Sequence, residues 1–152
     1  MRYLYAFLLL VCSTCLVSCL GNMSFHEFKH LQHDEWNWTD TLEYVLSDST
    51  LEGEYECFVS LRLTPDYPFR ELWIAAETDL SHPIYIKRDT IRLAFEEESL
   101  GIFRKGVNLS QEDCLVGKIP IRKGQTGRIR LYHLMSRETL PCISDVGVWM
   151  RR

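Results

Sequence analysis

No segment of this chain is apolar for long enough to cross a bilayer as a helix: the one sustained uncharged run, Tyr3 to Val17, is shorter than the about 20 residues such a span needs. Histidine is scarce beyond residue 33, where only His82 and His133 occur, and no Ser-His-Asp or Cys-His set can be assembled around either. Glycine-rich phosphate loops are missing, and so are closely spaced cysteine pairs beyond residue 19, which leaves no basis for nucleotide hydrolysis or a structural zinc site. There is no internal repeat, no low-complexity tract and no long helical periodicity. Positive charge is in the minority, 17 Lys and Arg against 21 Asp and Glu, so the surface does not seek nucleic acid or anionic lipid.

What is present begins with Met1-Arg2 and the uncharged run, the positive start and apolar middle of a secretory signal. The run closes on Leu16-Val17-Ser18-Cys19, which resembles the lipobox of bacterial lipoproteins. That resemblance implies a signal peptide over residues 1–18, removed after Cys19 receives fatty acyl chains such as palmitate. Two or more chains make the anchoring stable, each buried methylene contributing about 0.8 kcal/mol. Removal of 1–18 takes away Arg2, leaving 16 basic against 21 acidic residues, a net of −5. The remaining 134 residues suit one domain with a single core. Cys57, Cys114 and Cys142 follow the anchor. Cys57 lies in a strand-like alternation as a small core residue, and Cys114 with Cys142 is the pair to test for a bridge, although no bridge at all is an equal expectation.

Residues 19–35 read as lipid anchor and tether, polar and histidine-rich, with one short amphipathic turn through Phe25, Phe28 and Leu31. From Trp36 to residue 152 the pattern changes to period two. Tyr55, Cys57, Val59, Leu61 and Leu63 share one face of a strand whose other face carries Glu54, Glu56, Ser60 and Arg62. Similar alternation recurs at Leu42–Leu46, Ile91–Phe95, Ile129–Met135 and Val146–Met150, and less clearly at Leu72–Thr78 and Leu115–Ile121, where Pro120 suits an edge or a strand end. Turn chemistry at Thr64–Pro68, Glu96–Gly101, Lys123–Gly127 and Pro141 separates these runs. The expected fold is all-β, an antiparallel β-sandwich of about seven to eight strands after an N-terminal signal helix and tether; a partly closed barrel would give nearly the same pattern.

Three stretches are more specific. Arg62 followed by Asp66-Tyr67-Pro68-Phe69-Arg70-Glu71-Leu72-Trp73, then Asp89-Thr90-Ile91, then His133-Leu134-Met135 with Leu140-Pro141-Cys142-Ile143-Ser144-Asp145-Val146-Gly147-Val148, together resemble the gliding motility lipoprotein family GldH of the Bacteroidetes. The chain departs from the family pattern at Glu71, at Cys142-Ile143, and in a middle reduced to Gly101, Phe103 and Gly106. The resemblance implies a non-enzymatic envelope lipoprotein of gliding motility or a related secretion machinery, acting through protein–protein contacts. It does not imply gliding by the host, since members also occur in non-motile species.

Independently of the family, proline fixes the backbone between the aromatics of Tyr67-Pro68-Phe69, whose rings either plug the end of a sandwich or offer a rigid contact. Tyr67, Pro68, Phe69 and Trp73 are therefore the candidate partner contacts, with plugging the leading explanation for the loop. Gly147 allows Trp149 or a neighbouring backbone to approach. His26-Glu27-Phe28-Lys29-His30 is a literal HExxH, but its place seven residues past Cys19 in an expected tether argues against zinc catalysis, so no metal, cofactor, small-molecule substrate or catalytic residue is expected. Trp36 and Trp38 share a face if their segment is extended, which makes a glycan-binding module the main alternative function. Thr41, Ser49 and Thr90 sit in Asp-Ser/Thr triplets that resemble O-glycosylation sites of exported Bacteroidetes proteins. No acidic cluster follows Cys19 in residues 20–24, so the expected location is the outer membrane, facing the periplasm.

Overall fold

The computed structural model describes residues 23–47, 50, 52–95 and 109–152. The signal helix, Cys19, Ser49 and the middle residues Gly101, Phe103 and Gly106 lie outside the described residues. Ten strands follow in order: β1 Met23–His30, β2 Glu35–Asn37, β3 Leu42–Leu46, β4 Gly53–Leu63, β5 Glu71–Leu80, β6 Tyr85–Ala94, β7 Ser110–Ile121, β8 Gly127–His133, β9 Thr139–Pro141 and β10 Ile143–Arg151. They form an antiparallel sandwich. One sheet has the order β1-β10-β4-β7, the facing sheet β3-β8-β5-β6, and β2 pairs with β9 as a small third piece. No helix among the described residues is long and apolar enough to cross a membrane.

The alternation in β4 is realised as expected: Tyr55, Cys57, Val59, Leu61 and Leu63 are all buried, facing Ile74, Ile129 and Leu131 of the opposite sheet within one core. Each such side chain contributes about 1.5–3 kcal/mol when withdrawn from water. The Tyr44 hydroxyl crosses the core from β3 and donates to the Val146 carbonyl at 2.7 Å, tying the sheets together. Burial pushes the Cys57 thiol up to about 12. Cys57, Cys114 and Cys142 are all free, so the bridge to be tested between Cys114 and Cys142 is not formed.

The expected tether needs correction. Met23–His30 is a strand of the sandwich, paired along its length with β10, so the sandwich includes residues that the expected boundary at Trp36 left in the tether. Its core-facing side carries Phe25, the ion-paired Glu27 and Lys29 (3.3 Å), with the Lys29 ammonium 5.5 Å from the Tyr44 ring centre. A marginal strand needs no apolar alternation because the edge of the sandwich lets charged ends reach water while their stems cover the core. On the outer side, the Phe28 ring lies over Gly147, where a Cβ would meet it at 2.6 Å. The space expected beside Gly147 for Trp149 or backbone is thus taken by a ring of the supposed tether.

Two of the outer edges, β7 and β6, are protected. β7 carries a bulge opposite Cys57 and Phe58, with Gly117 at φ 146°, and Pro120 near its end, as expected of an edge strand. On β6 Lys87 and Asp89 form a 2.9 Å ion pair, and Lys87 reaches across to Gly117. The alternating strand directions sort the connections into two ends. At the near end lie Met23, the β3–β4 connection, the β5–β6 and β7–β8 turns and Arg151; at the far end lie the β4–β5 loop, the β2/β9 pair and the starts of β3 and β10.

Candidate functional site

The far end collects most of the residues singled out by the sequence. The β4–β5 loop folds back on itself, Tyr67 N–H donating to the Thr64 carbonyl at 3.2 Å and Thr64 N–H to the Cys142 carbonyl at 3.0 Å. This seats Tyr67 in the core, edge to face with Phe69 at 5.5 Å and Phe95 at 5.3 Å. Tyr67 is therefore the plug, and burial raises its phenol well above the ordinary tyrosine range. It is withdrawn from the set of partner contacts because its ring is already covered. Pro68 stays exposed, and Phe69 is half-buried beneath the Arg137 guanidinium at 5.5 Å.

Trp73 projects from the outer face of β5 with 37% of its surface exposed. Arg92 lies 5.9 Å from its ring centre while held by Glu71 at 2.8 Å, a pair that lowers the Glu71 carboxyl. The Trp73 carbonyl accepts from Leu134 N–H at 2.8 Å, and Leu134 is itself 47% exposed. Leu134 belongs to the family-like stretch His133-Leu134-Met135 but was not among the candidate contacts; it directly follows His133, where β8 ends.

The two tryptophans of the glycan alternative part company. Trp36 is completely buried, its indole N–H donating to the Asp40 carbonyl at 3.0 Å, whereas Trp38 is 53% exposed. β2 stops at Asn37, whose Oδ1 accepts from Thr39 N–H at 3.0 Å and Thr39 O–H at 2.7 Å, turning the chain before Trp38. A paired stacking platform is not formed. Thr41 and Thr90 are exposed, Thr90 at the middle of edge strand β6.

The HExxH residues take a geometry that zinc proteases do not use. Four residues apart on a strand, His26 and His30 are separated by about 13 Å, too far for one ion bound at about 2 Å by each. His26 stands edge on to Phe28 at 5.1 Å, and His30 lies 3.4 Å from Asp145. Among the described residues no three His, Cys, Asp or Glu side chains converge on a metal-sized space.

A second aromatic cluster, also missed, lies on the outer face of β4 and β10. Phe58 and Trp149 stack at 4.0 Å with 4° between planes, Arg151 caps Phe58 at 5.1 Å, and the Trp149 indole donates to Asp113 at 3.3 Å. Because the rings face each other rather than solvent, the cluster is a cross-strand clamp and not a flat platform. Its signal was Phe58 standing alone on the polar side of an alternating strand.

His133 is buried edge to face against Trp36 at 5.6 Å, and neither ring nitrogen makes a well-formed hydrogen bond, although backbone groups of Glu138 and Trp36 lie close to the ring. Burial holds its imidazole below the usual histidine range, with the backbone of Glu138 and Trp36 only partly opposing this. The unfolded chain takes up that proton near pH 6.5, the folded chain only lower, so this stabilisation is intact above about 6.5 and is lost as pH falls through the folded value. His133→Phe should flatten the loss of stability between pH 7.5 and 5.5 in urea unfolding. An unchanged pH slope would show that His133 is not the group responsible.

No curated protein matches the chain. Among solved structures, a carbohydrate-binding module of Cel9A from Ruminococcus flavefaciens superposes with a TM-score of 0.44 at 8% identity, covering 84% of this chain and 98% of that one. The GH115 4-O-methyl-α-glucuronidase BtGH115A gives 0.40 at 15% identity over 78% of this chain, which spans 14% of the enzyme. The Xyn10B xylanase modules of Clostridium thermocellum give 0.39 at 9% identity, over 83% of this chain and 28% of that one. The GldH lipoprotein family profile matches residues 23–150, from the first strand to the last. That match spans nearly every strand described above, and the chain belongs to the GldH lipoprotein family.

Proposed function

We propose that this envelope-anchored lipoprotein is a non-enzymatic component of a gliding motility or related secretion machinery, acting through protein–protein contacts made by the far end of its sandwich. Acyl chains on Cys19 hold it on the outer membrane, facing the periplasm. The observation that carries the reading is the division of labour within the family-like motif: Tyr67 closes the core, which leaves Pro68 exposed and Phe69 half-buried in the loop, and Trp73 exposed on β5 with Leu134 hydrogen-bonded to its backbone. Aromatic anchors on a fixed backbone are the side chains that dominate protein interfaces. Glycan binding is the competing reading, and of its two rings only Trp38 faces solvent.

A photo-crosslinking amino acid introduced in cells at Trp73 or Leu134 should give a discrete adduct with one envelope protein, and the same probe at Lys123, at the opposite end, should not. Trp73→Ala with Leu134→Ser should weaken capture of that protein about tenfold, as loss of a modest hot spot does. Adducts of equal yield from both ends, or glycan-array binding abolished by Trp38→Ala, would refute it.

A further inference from the structure

The largest exposures of big apolar side chains among the described residues occur together at the near end: Ile84 at 79%, Ile86 at 74% and Val45 at 61%. Ile86 and Val45 occupy opposite ends of one cross-strand row, Ile86–Asp79–Arg128–Val45, on the outer face of the second sheet. Ile84 sits in the β5–β6 turn just beyond. This turn is fixed in place by its neighbour. The buried Gln125 side chain accepts from Arg122 N–H at 2.9 Å and donates to the Pro83 carbonyl at 2.6 Å, while Ser81 N–H donates to the Thr126 carbonyl at 2.8 Å. A rigid turn that holds isoleucines in water forgoes the stabilisation that burying each of these side chains would give.

The covalent chain says what lies beneath this end. Four Cα–Cα steps separate Cys19 from Met23, the first residue of β1, and they span at most about 15 Å. β1 and β6 stand at opposite corners of the sandwich, three strand spacings and one sheet spacing apart, or about 18 Å. Both corners therefore reach one surface together when the strands stand upright on it. At the same end Lys123, in the β7–β8 turn, has a stem long enough to lie along an interface with its charge among headgroups, while Arg122 and Arg128 are held by Glu52 at 3.8 Å and Glu43 at 3.2 Å.

We propose that the near end rests on the lipid surface that carries the anchor, with Ile84 and Ile86 entering the boundary between headgroups and acyl chains and Val45 meeting it at the other side of the same sheet. The proposal rests on acylation of Cys19. It turns a tethered domain into an oriented one, with Trp73 and Leu134 raised about 20–25 Å from the bilayer, since β5 rises about 3.3 Å per residue between the two ends.

The test uses the full acylated chain, purified from membranes and reconstituted into phosphatidylcholine vesicles with and without bromine at carbons 6 and 7 of one acyl chain. Ile84→Trp should lose most of its added emission in the brominated vesicles, and Leu134→Trp should lose none. Ile86→Trp, an independent exposed position, should behave as Ile84→Trp does. Equal quenching at both ends, or none at Ile84 and Ile86 in a chain whose intact mass shows acylation, would overturn the orientation and leave the anchor standing. A mass showing an unmodified Cys19 would instead remove the anchor, and the orientation with it.

Discussion

Trp36→Ala should remove about 3–5 kcal/mol of folding stability, read as a fall in the urea midpoint of the full chain. The indole is completely buried, it donates to the Asp40 carbonyl at 3.0 Å, and His133 leans on it at 5.6 Å. Deleting it opens a cavity where β2 and β9 meet the main core and frees His133 from the contact that seats it. Domains of this size hold only about 5–15 kcal/mol in total, so the variant approaches the limit of folding at ordinary temperatures. Trp38→Ala, two residues on, should change stability by less than about 0.5 kcal/mol. A neutral Trp36→Ala would mean that this ring is not part of the core, and would restore it as a ligand contact.

Gly127→Ala should be nearly as damaging, with a loss toward the upper end of the about 1–3 kcal/mol typical of overpacking. Its Cβ would lie 2.3 Å from the Asp79 carbonyl oxygen and 2.7 Å from Leu80 Cα, both backbone of the strand to which Gly127 is paired. No rotamer relieves such a clash; the β5–β8 ladder has to open. Gly147→Ala meets only the ring of Phe28, which can swing aside, so it should cost clearly less. Thermal unfolding of the two variants side by side would decide this. Equal losses would show that Phe28 is as immovable as backbone.

Period two exposed most of the fold because the apolar side chains of the central strands alternate, as in β4 and β10 even where Ser60 and Gly147 are covered on the outer face. β5 read weakly for a physical reason: Ala75 and Ala76 are both buried, so its alternation fades where a small residue is covered on the outer face as well. β1 was hidden for the opposite reason, since charges occupy its inner side at the margin of the sandwich. At the far end, Tyr67 was legible as a plug because proline and a second aromatic fixed its neighbourhood. The separation of Trp36 from Trp38 was not, because it depends on an asparagine side chain ending a strand one residue earlier than the alternation implied. Leu134 and Arg92 became visible only once strand pairing set them beside Trp73.

The guarded edges acquire a particular meaning for a protein confined to a sheet of lipid. Lipid attachment restricts the copies of a lipoprotein to two dimensions, where neighbours collide far more often than in free solution. An open β-edge under those conditions would template lateral polymerisation. The bulge at Gly117, the missing N–H at Pro120 and the Lys87–Asp89 pair on β6 guard two neighbouring margins of the sandwich against zipping onto another copy.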